Sequence, residues 1–430
     1  MCIRDRFKIG LLPAVYEKCI EYGIKPKVVD MRQPLPKVNE VVTKIGEYKL
    51  RPEQEKAVKA VINNKVGKVP FQIGVLDYTV NAGKTLIMSS LYLSYKKQLK
   101  TLLITNDSDW LNQARDEFKK YLPGEQITFV QGKVLNWSNF TIGMVQSISR
   151  NMRFYQNELA KVDMVLVDEA DQAGSKQYQN VLTRLFNTRV RIGLSGTIYM
   201  SKLAKDKVKN MNLEVFFGKV LAEFKLKDSI KKGYSTRTIV KMVPSKPWYG
   251  NWESEEVSYK EVYDDSITFN KYARRMVYSR LKWNLKQGRY PALVVCKFIA
   301  HCENLCKYFK KKLGSKYNIA CVHVDTPSKI RQQIMRDFRE GKIDILVSTT
   351  IIARGKNFPK LRYLLNAASM DSQEKSIQFL GRLVRTDSSK KKVYLDDLHY
   401  PGPYLNRHGK HRKQYYHCLL YTSDAADEGL

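Results

Sequence analysis

The sequence predicts an α/β protein with two tandem parallel-sheet domains, and two observations lead to this prediction. The chain has 430 residues, which at roughly 150 residues per domain is enough for two or three domains. Short, continuously apolar runs alternate along it with longer segments of helical periodicity. Strands that are apolar on both faces are typical of a parallel sheet that helices cover on both sides.

The first domain is expected to span residues 46–225. Its predicted strands are 71–76, 101–104, 142–145, 164–167 and 191–194. The polar, lysine-rich segment 201–247 interrupts the pattern, so we place the domain boundary near residue 225. The second domain is then expected over residues 226–417. Its predicted strands are 292–296, 320–324, 343–347, 363–367 and 393–395.

The two ends of the chain differ from these domains. Residues 7–45 combine a helical pattern at 11–22, a short apolar run at 26–29 and two linker prolines, so we expect the remnant of a small N-terminal accessory domain and a linker. Residues 1–6 and 418–430 back-translate to stretches that share a reverse-complementary core, as in sequencing-library adapters. We interpret both as adapter-derived scars and leave them out of the fold prediction.

The chain is strongly basic. Lys and Arg number 75 against 42 Asp and Glu, a formal net charge of +33, and the excess remains without the scars. This excess indicates a polyanionic partner, most simply nucleic acid. The absence of any run of about 18 apolar residues excludes a membrane-spanning protein. The content of 26 Tyr, 16 Phe and 5 Trp excludes general disorder.

Cysteine usage indicates a reducing compartment, and we expect a cytoplasmic protein. Outside the scars no C-x-x-C pair occurs, and no secretory leader is visible. His301, Cys302 and Cys306 lie within two helical turns, but their spacing matches no zinc pattern. We therefore predict no metal site from these three residues.

A candidate phosphate-binding loop, DYTVNAGKT, occupies residues 77–85 between a predicted strand and a predicted helix. Backbone N–H groups at the start of that helix would cradle phosphates, Lys84 would reach the β- and γ-phosphates, and Thr85 would hold Mg²⁺. The loop departs from the usual motif because Tyr78 stands in place of its first glycine. The candidate binding residues are Asn81, Ala82, Gly83, Lys84 and Thr85.

A pair of acids follows another apolar strand in VLVDEAD, residues 165–171. Asp168 is placed to hold Mg²⁺, usually through water, and Glu169 is placed to orient or deprotonate an attacking water. Upstream of the loop, Arg51 and Gln54 complete the candidate nucleotide site, with Gln54 able to read an adenine edge.

Further polar motifs follow in order along the chain: Ser195, Thr197, Thr349, Gly355, Gln378, Arg382 and Arg385. The last three belong to QFLGRLVR, residues 378–385. Arg382 and Arg385 are three residues apart, so on a helix they would share a face. Both could then reach a γ-phosphate from a second domain, as arginine fingers do.

In this order the motifs resemble those of superfamily 2 helicases, over about residues 46–395. The resemblance implies two RecA-like domains with ATP and Mg²⁺ bound between them. By motif position it assigns nucleotide binding or hydrolysis to Gln54, Lys84, Thr85, Asp168, Glu169, Gly355, Gln378, Arg382 and Arg385. It assigns the coupling of hydrolysis to movement to Ser195 and Thr197.

Subfamily features resemble the phage UvsW-type DNA helicases more than the DEAD-box RNA helicases. Although residues 168–171 read Asp-Glu-Ala-Asp, residues 195–197 read Ser-Gly-Thr rather than Ser-Ala-Thr, and residues 378–385 also depart from the DEAD-box motif. The stretch 10–13 before a predicted helix is similar to the end of the small DNA-binding N-terminal domain of the UvsW-type proteins.

The resemblance implies an ATP-dependent DNA helicase or translocase that moves 3′→5′ and unwinds or remodels branched DNA in replication, recombination or repair. The residues at the family's nucleic-acid positions are Asn106, Asp107, Gln146, Ser147 and Thr349. We expect a monomer that acts on single-stranded and branched DNA, in the host cytoplasm if a phage encodes it.

Three other functions stay open at this point. They are a double-stranded DNA translocase of the restriction-motor type without strand separation, an RNA helicase, and a nucleic-acid binding protein without ATPase activity. The same motifs serve a helicase and such a translocase, and the glycines missing from the loop keep the binding protein open. Basic clusters are further candidates for phosphate contact, at 202–209, 310–312, 390–392 and the tyrosine-flanked 407–413.

Overall fold

The computed structural model describes residues 7–106, 108–196, 204–245, 257–353, 358–387 and 390–420. The chain divides into two compact units between Lys225 and Leu226. Each unit is built around one main sheet whose paired strands all run parallel. This arrangement confirms the predicted α/β class with two tandem parallel-sheet domains.

The first unit contains two short antiparallel ribbons ahead of its main sheet, β1 (Lys44–Ile45) with β2 (Tyr48–Lys49) and β3 (Lys65–Val66) with β4 (Val69–Pro70). The strands of its seven-stranded sheet are β5 (Ile73–Tyr78), β6 (Thr101–Thr105), β7 (Ile127–Val130), β8 (Phe140–Met144), β9 (Met164–Asp168), β10 (Val190–Ser195) and β11 (Val220–Phe224). Their order across the sheet is β11-β5-β10-β9-β6-β8-β7. Every residue of β5, β6, β9 and β10 is buried, which explains why their sequences are mainly apolar, with polar residues mostly at their ends.

Helices connect these strands. They are α1 (Leu12–Glu21), α2 (Pro52–Ile62), α3 (Lys84–Ser94), α4 (Ser108–Tyr121), α5 (Val145–Arg150), α6 (Met152–Ala160), α7 (Lys176–Leu182) and α8 (Ala204–Phe217). The helix α3 is apolar on nearly all sides and is buried along most of its length. It therefore fixes the loop that precedes it firmly against the sheet.

The second unit has a six-stranded sheet. Its strands are β12 (Arg237–Pro244), β13 (Ala292–Cys296), β14 (Ile319–Val322), β15 (Ile345–Thr349), β16 (Tyr363–Asn366) and β17 (Lys392–His399), in the order β12-β17-β16-β13-β15-β14. Its helices are α9 (Leu226–Lys231), α10 (Tyr259–Tyr263), α11 (Lys271–Lys286), α12 (Ile299–Leu313), α13 (Ser328–Glu340), α14 (Gln373–Leu383) and α15 (Leu405–Leu420). No helix described in either unit is both long and apolar enough to cross a membrane.

Two predictions of secondary structure were wrong. The segment 201–247, expected to interrupt the pattern, contributes α8, β11, α9 and β12. The strands β11 and β12 lie at sheet edges, where some of their residues are exposed and can be polar. Neither strand therefore forms a continuous apolar run in the sequence. The second wrong prediction is the short strand at residues 26–29, which pair with no strand among the described residues.

Residues 7–45 belong to the first unit and pack against the rest of it. Gly10 approaches α8 so closely that a Cβ there would lie 2.1 Å from the Glu214 carbonyl oxygen. Further along, Arg32 Nη1 donates to the Thr188 carbonyl over 2.6 Å, and Asp30 forms ion pairs with Arg32 at 2.8 Å and Arg189 at 3.3 Å. This segment therefore covers part of the first unit with apolar and ionic contacts.

Candidate functional site

Most of the predicted site residues gather at the carboxyl edge of the first sheet. Neighbouring strands there follow the order β5, β10, β9, β6, β8. The loop after β5 leads to Lys84, β10 ends at Ser195, β9 ends at Asp168, and Asn106 follows β6. Because these strands are parallel, their carboxyl ends share one edge, which is where open α/β sheets bind ligands.

The loop between β5 and α3 keeps its shape without a glycine at position 78. Tyr78 belongs to β5, is buried, and its hydroxyl donates to the Glu53 carbonyl over 2.6 Å. Left-handed backbone occurs instead at Asn81, with φ 63°, and at Gly83, with φ 72°. Asn and Gly are the residues that tolerate this conformation. The departure from the motif therefore falls on a strand position, not on the curled part of the loop.

Gln54 is held against this loop. Its Nε2 donates to the Ala82 carbonyl over 2.8 Å, and its Oε1 accepts from the Arg51 N–H over 2.8 Å. Arg51 Nη1 reaches the Asn81 carbonyl at 3.4 Å. A Cβ at Gly83 would lie 2.3 Å from Gln54 Nε2, so this close approach also requires glycine. The amide retains one N–H and one lone pair, which suffice to meet an adenine edge.

Lys84 and Thr85 open α3, whose N-cap residue is Gly83. N–H groups in a first helical turn lack partners within the helix, so this helix start suits a phosphate. Thr85 Oγ1 donates to Glu117 Oε2 on α4 over 2.8 Å. Because a donating hydroxyl still has lone pairs for a cation, this bond is compatible with the predicted Mg²⁺ role. Sequence reasoning missed Glu117, which no motif marks.

The strand β9 delivers two carboxylates to the edge. Asp168 is its last residue and is buried, whereas Glu169 is partly exposed and has left-handed backbone, with φ 52° and ψ 49°. The chain then forms a short 3-10 turn, in which Gln172 Nε2 donates to Glu169 Oε2 over 3.2 Å. Thr85 and Asp168 offer oxygen ligands of the kind that Mg²⁺ takes together with phosphates and water. The residues present therefore fit this metal.

The predicted nucleic-acid residues of the first unit lie further along the same edge. Asn106 follows β6, and Gln146 and Ser147 belong to the first turn of α5. Gln146 Nε2 donates to the Asn106 carbonyl over 3.2 Å, and Asn106 Nδ2 donates to Gln172 Oε1. Asp107 lies outside the described residues. Asn106 thus contacts the turn that follows Glu169, and Gln146 contacts Asn106, an arrangement that sequence reasoning missed because no motif marks Gln172.

The second unit also presents predicted residues. Thr349 ends β15 at the carboxyl edge of its sheet and is largely buried, and Gln378 and Arg382 lie on α14. Besides Asp107, two further predicted residues lie outside the described part of the chain, Thr197 of the first unit and Gly355 of the second.

Arg385 does not lie on α14, so the prediction that Arg382 and Arg385 share a helix face was wrong. The helix ends at Leu383. Beyond it the chain pairs with another segment, because the Thr236 N–H donates to the Val384 carbonyl over 2.8 Å and the Thr236 hydroxyl donates to the Arg385 carbonyl over 3.3 Å. This pairing replaces the next helical turn.

Two of the predicted basic clusters contain buried cations with structural partners. Lys390 is 7% exposed, and its Nζ donates to the carbonyls of Leu361 and Leu383, each over 3.0 Å. Arg412 is fully buried in an ion pair with Asp397 at 2.9 Å. These two cations, and the buried rings of Tyr415 and Tyr416, do not face solvent. Their predicted contact with phosphates is therefore wrong, although exposed basic residues remain nearby.

Comparison with known proteins identifies the two halves of the chain. Residues 47–200 match a family model described as the type III restriction enzyme res subunit, and residues 274–387 match the helicase conserved C-terminal domain. The Saccharomyces cerevisiae protein IRC3, named as an ATP-dependent helicase, is 24% identical over 377 residues, which cover 81% of this chain and 51% of IRC3. The chain thus spans about half the length of this relative.

Solved structures share the fold. The restriction-modification enzyme LlaBIII bound to DNA has a TM-score of 0.62 at 14% identity, covering 86% of this chain and 30% of that one. Dbp5 from S. cerevisiae bound to RNA and ADP BeF3 has a TM-score of 0.56 at 14% identity, covering 85% of this chain and 88% of that one. The comparisons do not single out the UvsW-type subfamily. The two matched family models and the tandem parallel-sheet fold indicate the same family: the chain belongs to superfamily 2 of the helicases.

Proposed function

We propose that this protein is an ATP-dependent motor that moves on DNA and unwinds or remodels branched DNA such as forks and junctions. One observation carries the proposal. Along a single sheet edge, the strands present a phosphate-binding loop, then a carboxylate pair, then amides suited to a nucleic-acid backbone. The net charge of +33 supports a polyanionic partner for the last of these groups.

Each side chain at the edge has a role in the proposed hydrolysis. Bound ATP with Mg²⁺ supplies the phosphoanhydride and the cation that neutralises its oxygens. Lys84 and the first-turn N–H groups of α3 hold the phosphates, while Thr85 and Asp168 hold the cation, directly or through water. Glu169 orients the attacking water and accepts its proton.

In this proposal the second unit contributes residues that are needed for hydrolysis and for holding the nucleic acid. Arg382 and Arg385 act on the γ-phosphate, so hydrolysis depends on their unit as well as on the first. Asn106, Gln146 and Thr349 hold the nucleic-acid backbone. If the affinity of these residues for the nucleic acid alternated with each ATP turnover, the protein would move along the strand in steps. The presence or absence of the γ-phosphate would then shift the protein between its two conformational states.

DNA is proposed rather than RNA because of two departures from the DEAD-box RNA helicases. Residues 195–197 read Ser-Gly-Thr, and residues 378–385 read QFLGRLVR. The fold does not distinguish DNA from RNA as the substrate, since one structural neighbour is bound to DNA and another to RNA.

The restriction-enzyme family model over residues 47–200 favours a second candidate function, a translocase that moves on duplex DNA without separating its strands.

The proposal is tested by steady-state ATPase of the purified chain with no nucleic acid, single-stranded DNA, forked DNA or single-stranded RNA, followed by strand displacement on the fork. The Glu169→Gln variant is the control, because it keeps shape but removes the base. We expect strong stimulation by DNA, most by the fork, with displaced strand. Stimulation by RNA alone would identify an RNA helicase, and stimulation by the fork without strand displacement would identify the translocase. Undiminished turnover in Glu169→Gln would refute the active site.

A further inference from the structure

Four cations and a tyrosine form a stripe along one side of α11, which we call the α11 stripe: Lys271, Arg275, Tyr278, Lys282 and Lys286. They recur at intervals of four, three, four and four residues, so they lie along one line of the helix. At 1.5 Å per residue this line is about 22 Å long. The sequence around it is also strongly cationic, because residues 266–302 contain eight Lys and Arg and no Asp or Glu.

The α11 stripe faces solvent. The opposite side of the helix is buried in the core of the second unit through Ala273, Val277, Leu281 and Leu285. The four cations of the stripe are exposed, and none of them forms an ion pair with a carboxylate of the described residues. Like charges four residues apart on a helix repel each other, so a polyanion bound along the stripe would relieve this repulsion.

The helix α12 adds further cations beside the stripe. The rings of Tyr278 and Tyr308 meet edge to face, with 5.6 Å between their centres. On Tyr308, the Arg274 guanidinium carbon lies 5.2 Å and the Lys312 Nζ 6.0 Å from the centre of the ring. Lys312 belongs to the exposed cluster 310–312, one of the basic clusters predicted to contact phosphates. The packing of the two helices thus widens the stripe into a basic surface.

Two exposed aromatic rings border the stripe on its other side. Tyr272 is 55% and Trp283 38% exposed, and the two are about three helical turns apart. Arg289 supports the indole, since its guanidinium carbon lies 4.8 Å from the centre of the Trp283 ring and 3.4 Å from that of Tyr394. Bases of a single strand can stack on such rings while its phosphates contact nearby cations. Because the bases of a duplex are stacked on each other, the combination favours a single strand.

This surface is separate from the predicted nucleic-acid residue of the second unit. Thr349 ends β15 at the carboxyl edge of the sheet, whereas the end of α11 leads into the start of β13. Tyr394, which stacks on Arg289, is the third residue of β17. The part of the stripe next to Trp283 therefore lies towards the amino edge of the sheet, opposite the edge that carries Thr349.

We propose that the α11 stripe, with Tyr272 and Trp283 beside it, is a second binding surface for single-stranded nucleic acid. Charge complementarity identifies the partner as a polyanion, and the exposed rings identify it as one with accessible bases. The inference goes beyond the proposed function, because binding here requires neither ATP nor the motif residues. It also gives a role to the cluster 310–312, which lies outside the nucleotide site.

The test counts how many single-stranded DNA oligonucleotides of about ten nucleotides bind to one purified chain without ATP, and measures their affinity at several salt concentrations. We expect the wild type to bind two, one at the α11 stripe and one at the motif residues. The triple variant Arg275→Ala, Lys282→Ala and Lys286→Ala should bind only the second of these.

Two single variants separate the phosphate contacts from base stacking at the stripe. Lys286→Ala should make the plot of log affinity against log salt less steep by about 0.7, the contribution of one phosphate of a single strand. Trp283→Leu should weaken the binding of the same oligonucleotide about fivefold or more, without changing that slope, because stacking neutralises no phosphate.

The matched control is the triple variant Lys56→Ala, Lys119→Ala and Lys120→Ala, which removes the same charge from exposed positions on α2 and α4. It should bind two oligonucleotides, as the wild type does. A triple stripe variant that also bound two, each as tightly as the wild type, would refute the inference and favour an acidic protein as the partner. Unchanged affinity in Trp283→Leu would refute the single strand and favour a duplex.

Failure of the proposed function would give a different result. If the wild type bound one oligonucleotide and the triple stripe variant bound none, the motif residues would not be nucleic-acid contacts, while the α11 stripe would be supported.

Discussion

The Ser195 hydroxyl donates a hydrogen bond to Asp171 Oδ1 over 3.0 Å, and both side chains are buried. This bond ties the end of β10 to the turn after β9 that carries Glu169. In Ser195→Ala we expect DNA-stimulated ATP turnover to stay within about twofold of wild type while strand displacement falls about fivefold. The reason is that the lost bond, worth about 1 kcal/mol net, links two strand ends and holds no phosphate.

The control for this variant is Ser229→Ala in the second unit, a buried serine whose hydroxyl contacts the Ser235 hydroxyl at 2.8 Å. It should change neither turnover nor displacement by more than about twofold. Both activities falling together in Ser195→Ala would assign Ser195 to hydrolysis itself rather than to coupling.

The phosphate-binding loop provides a second prediction. Gly83→Ala would place a Cβ at a left-handed position and 2.3 Å from Gln54 Nε2. An alanine in this conformation costs about 1–2 kcal/mol before any clash, so we expect the KM for ATP to rise about tenfold or more. The measurement is ATP-dependent turnover at saturating DNA.

Tyr78→Phe is the matched change in the same loop, because it removes only the hydroxyl that donates to the Glu53 carbonyl. We expect its KM for ATP to stay within about twofold of wild type, with a loss of about 1 kcal/mol in stability. A larger rise in KM for Tyr78→Phe than for Gly83→Ala would contradict our view that the curled part of the loop starts after Tyr78.

The central strands were predictable, whereas the edge strands β7, β11 and β12 were not, for a physical reason. A strand buried on both faces is continuously apolar, and the run predicted at 292–296 is β13 without any change of bounds. The edge strand β12 has partly exposed residues along most of its length, so Lys241 can sit within it. Apolar runs therefore report the middle of a parallel sheet better than its margins.

Motif order predicted the residues of the candidate nucleotide site, but it did not reveal how distant residues hold that site together. Nothing in the local sequence marks Glu117 as a partner of Thr85, since the two are brought together only by the packing of α3 and α4. The spacing of Arg382 and Arg385 suggested a shared helix face, whereas pairing with Thr236 ends the helix between them. Local periodicity cannot anticipate such tertiary competition.

Arg385 provides a third prediction. In Arg385→Ala we expect DNA-stimulated kcat to fall at least about a hundredfold with little change in the KM for ATP, because an arginine finger stabilises charge that develops in the transition state. Arg385→Lys should recover little, since lysine lacks the planar fork of donors. The exposed Arg407 on α15 offers the control Arg407→Ala, which should turn over normally. A weaker affinity for ATP at normal kcat would remove Arg385 from this role.

The buried ion pair of the second unit provides a fourth prediction. Arg412 binds Asp397 through Nε and Nη2 and donates through Nη1 to the Met370 carbonyl over 2.8 Å. Arg412→Met leaves the buried Asp397 carboxylate without its cation, so we expect the free energy of unfolding to fall by about 3–5 kcal/mol. Urea denaturation followed by circular dichroism measures the change.

Two further variants separate the ion pair from general effects on α15. Lys413→Met changes the exposed neighbour and should stay within about 0.5 kcal/mol of wild type. The double variant Arg412→Met with Asp397→Leu removes both charges and should recover part of the loss. If the single and double variants unfolded alike, unpaired charge would not be the cause.

A buried histidine gives the second unit a specific acid sensitivity. His301 is 2% exposed and shares a hydrogen bond of 3.0 Å with the Tyr263 hydroxyl. Burial lowers the pKa of His301 to about 3, against 6.5 in the unfolded chain. Between these values the unfolded chain binds a proton that the folded chain does not, so the free energy of unfolding falls as the pH falls below about 6.5, by up to about 1.4 kcal/mol per pH unit.

His301→Gln replaces the titrating ring by an amide that can still bond Tyr263. We expect its stability to fall less than that of the wild type between pH 6.5 and 4.5, by a difference of about 1–3 kcal/mol in urea denaturation. Comparison with the wild type removes the contribution of the carboxylates, which both chains share. Parallel curves for His301→Gln and the wild type would show that His301 titrates alike in the folded and unfolded chains.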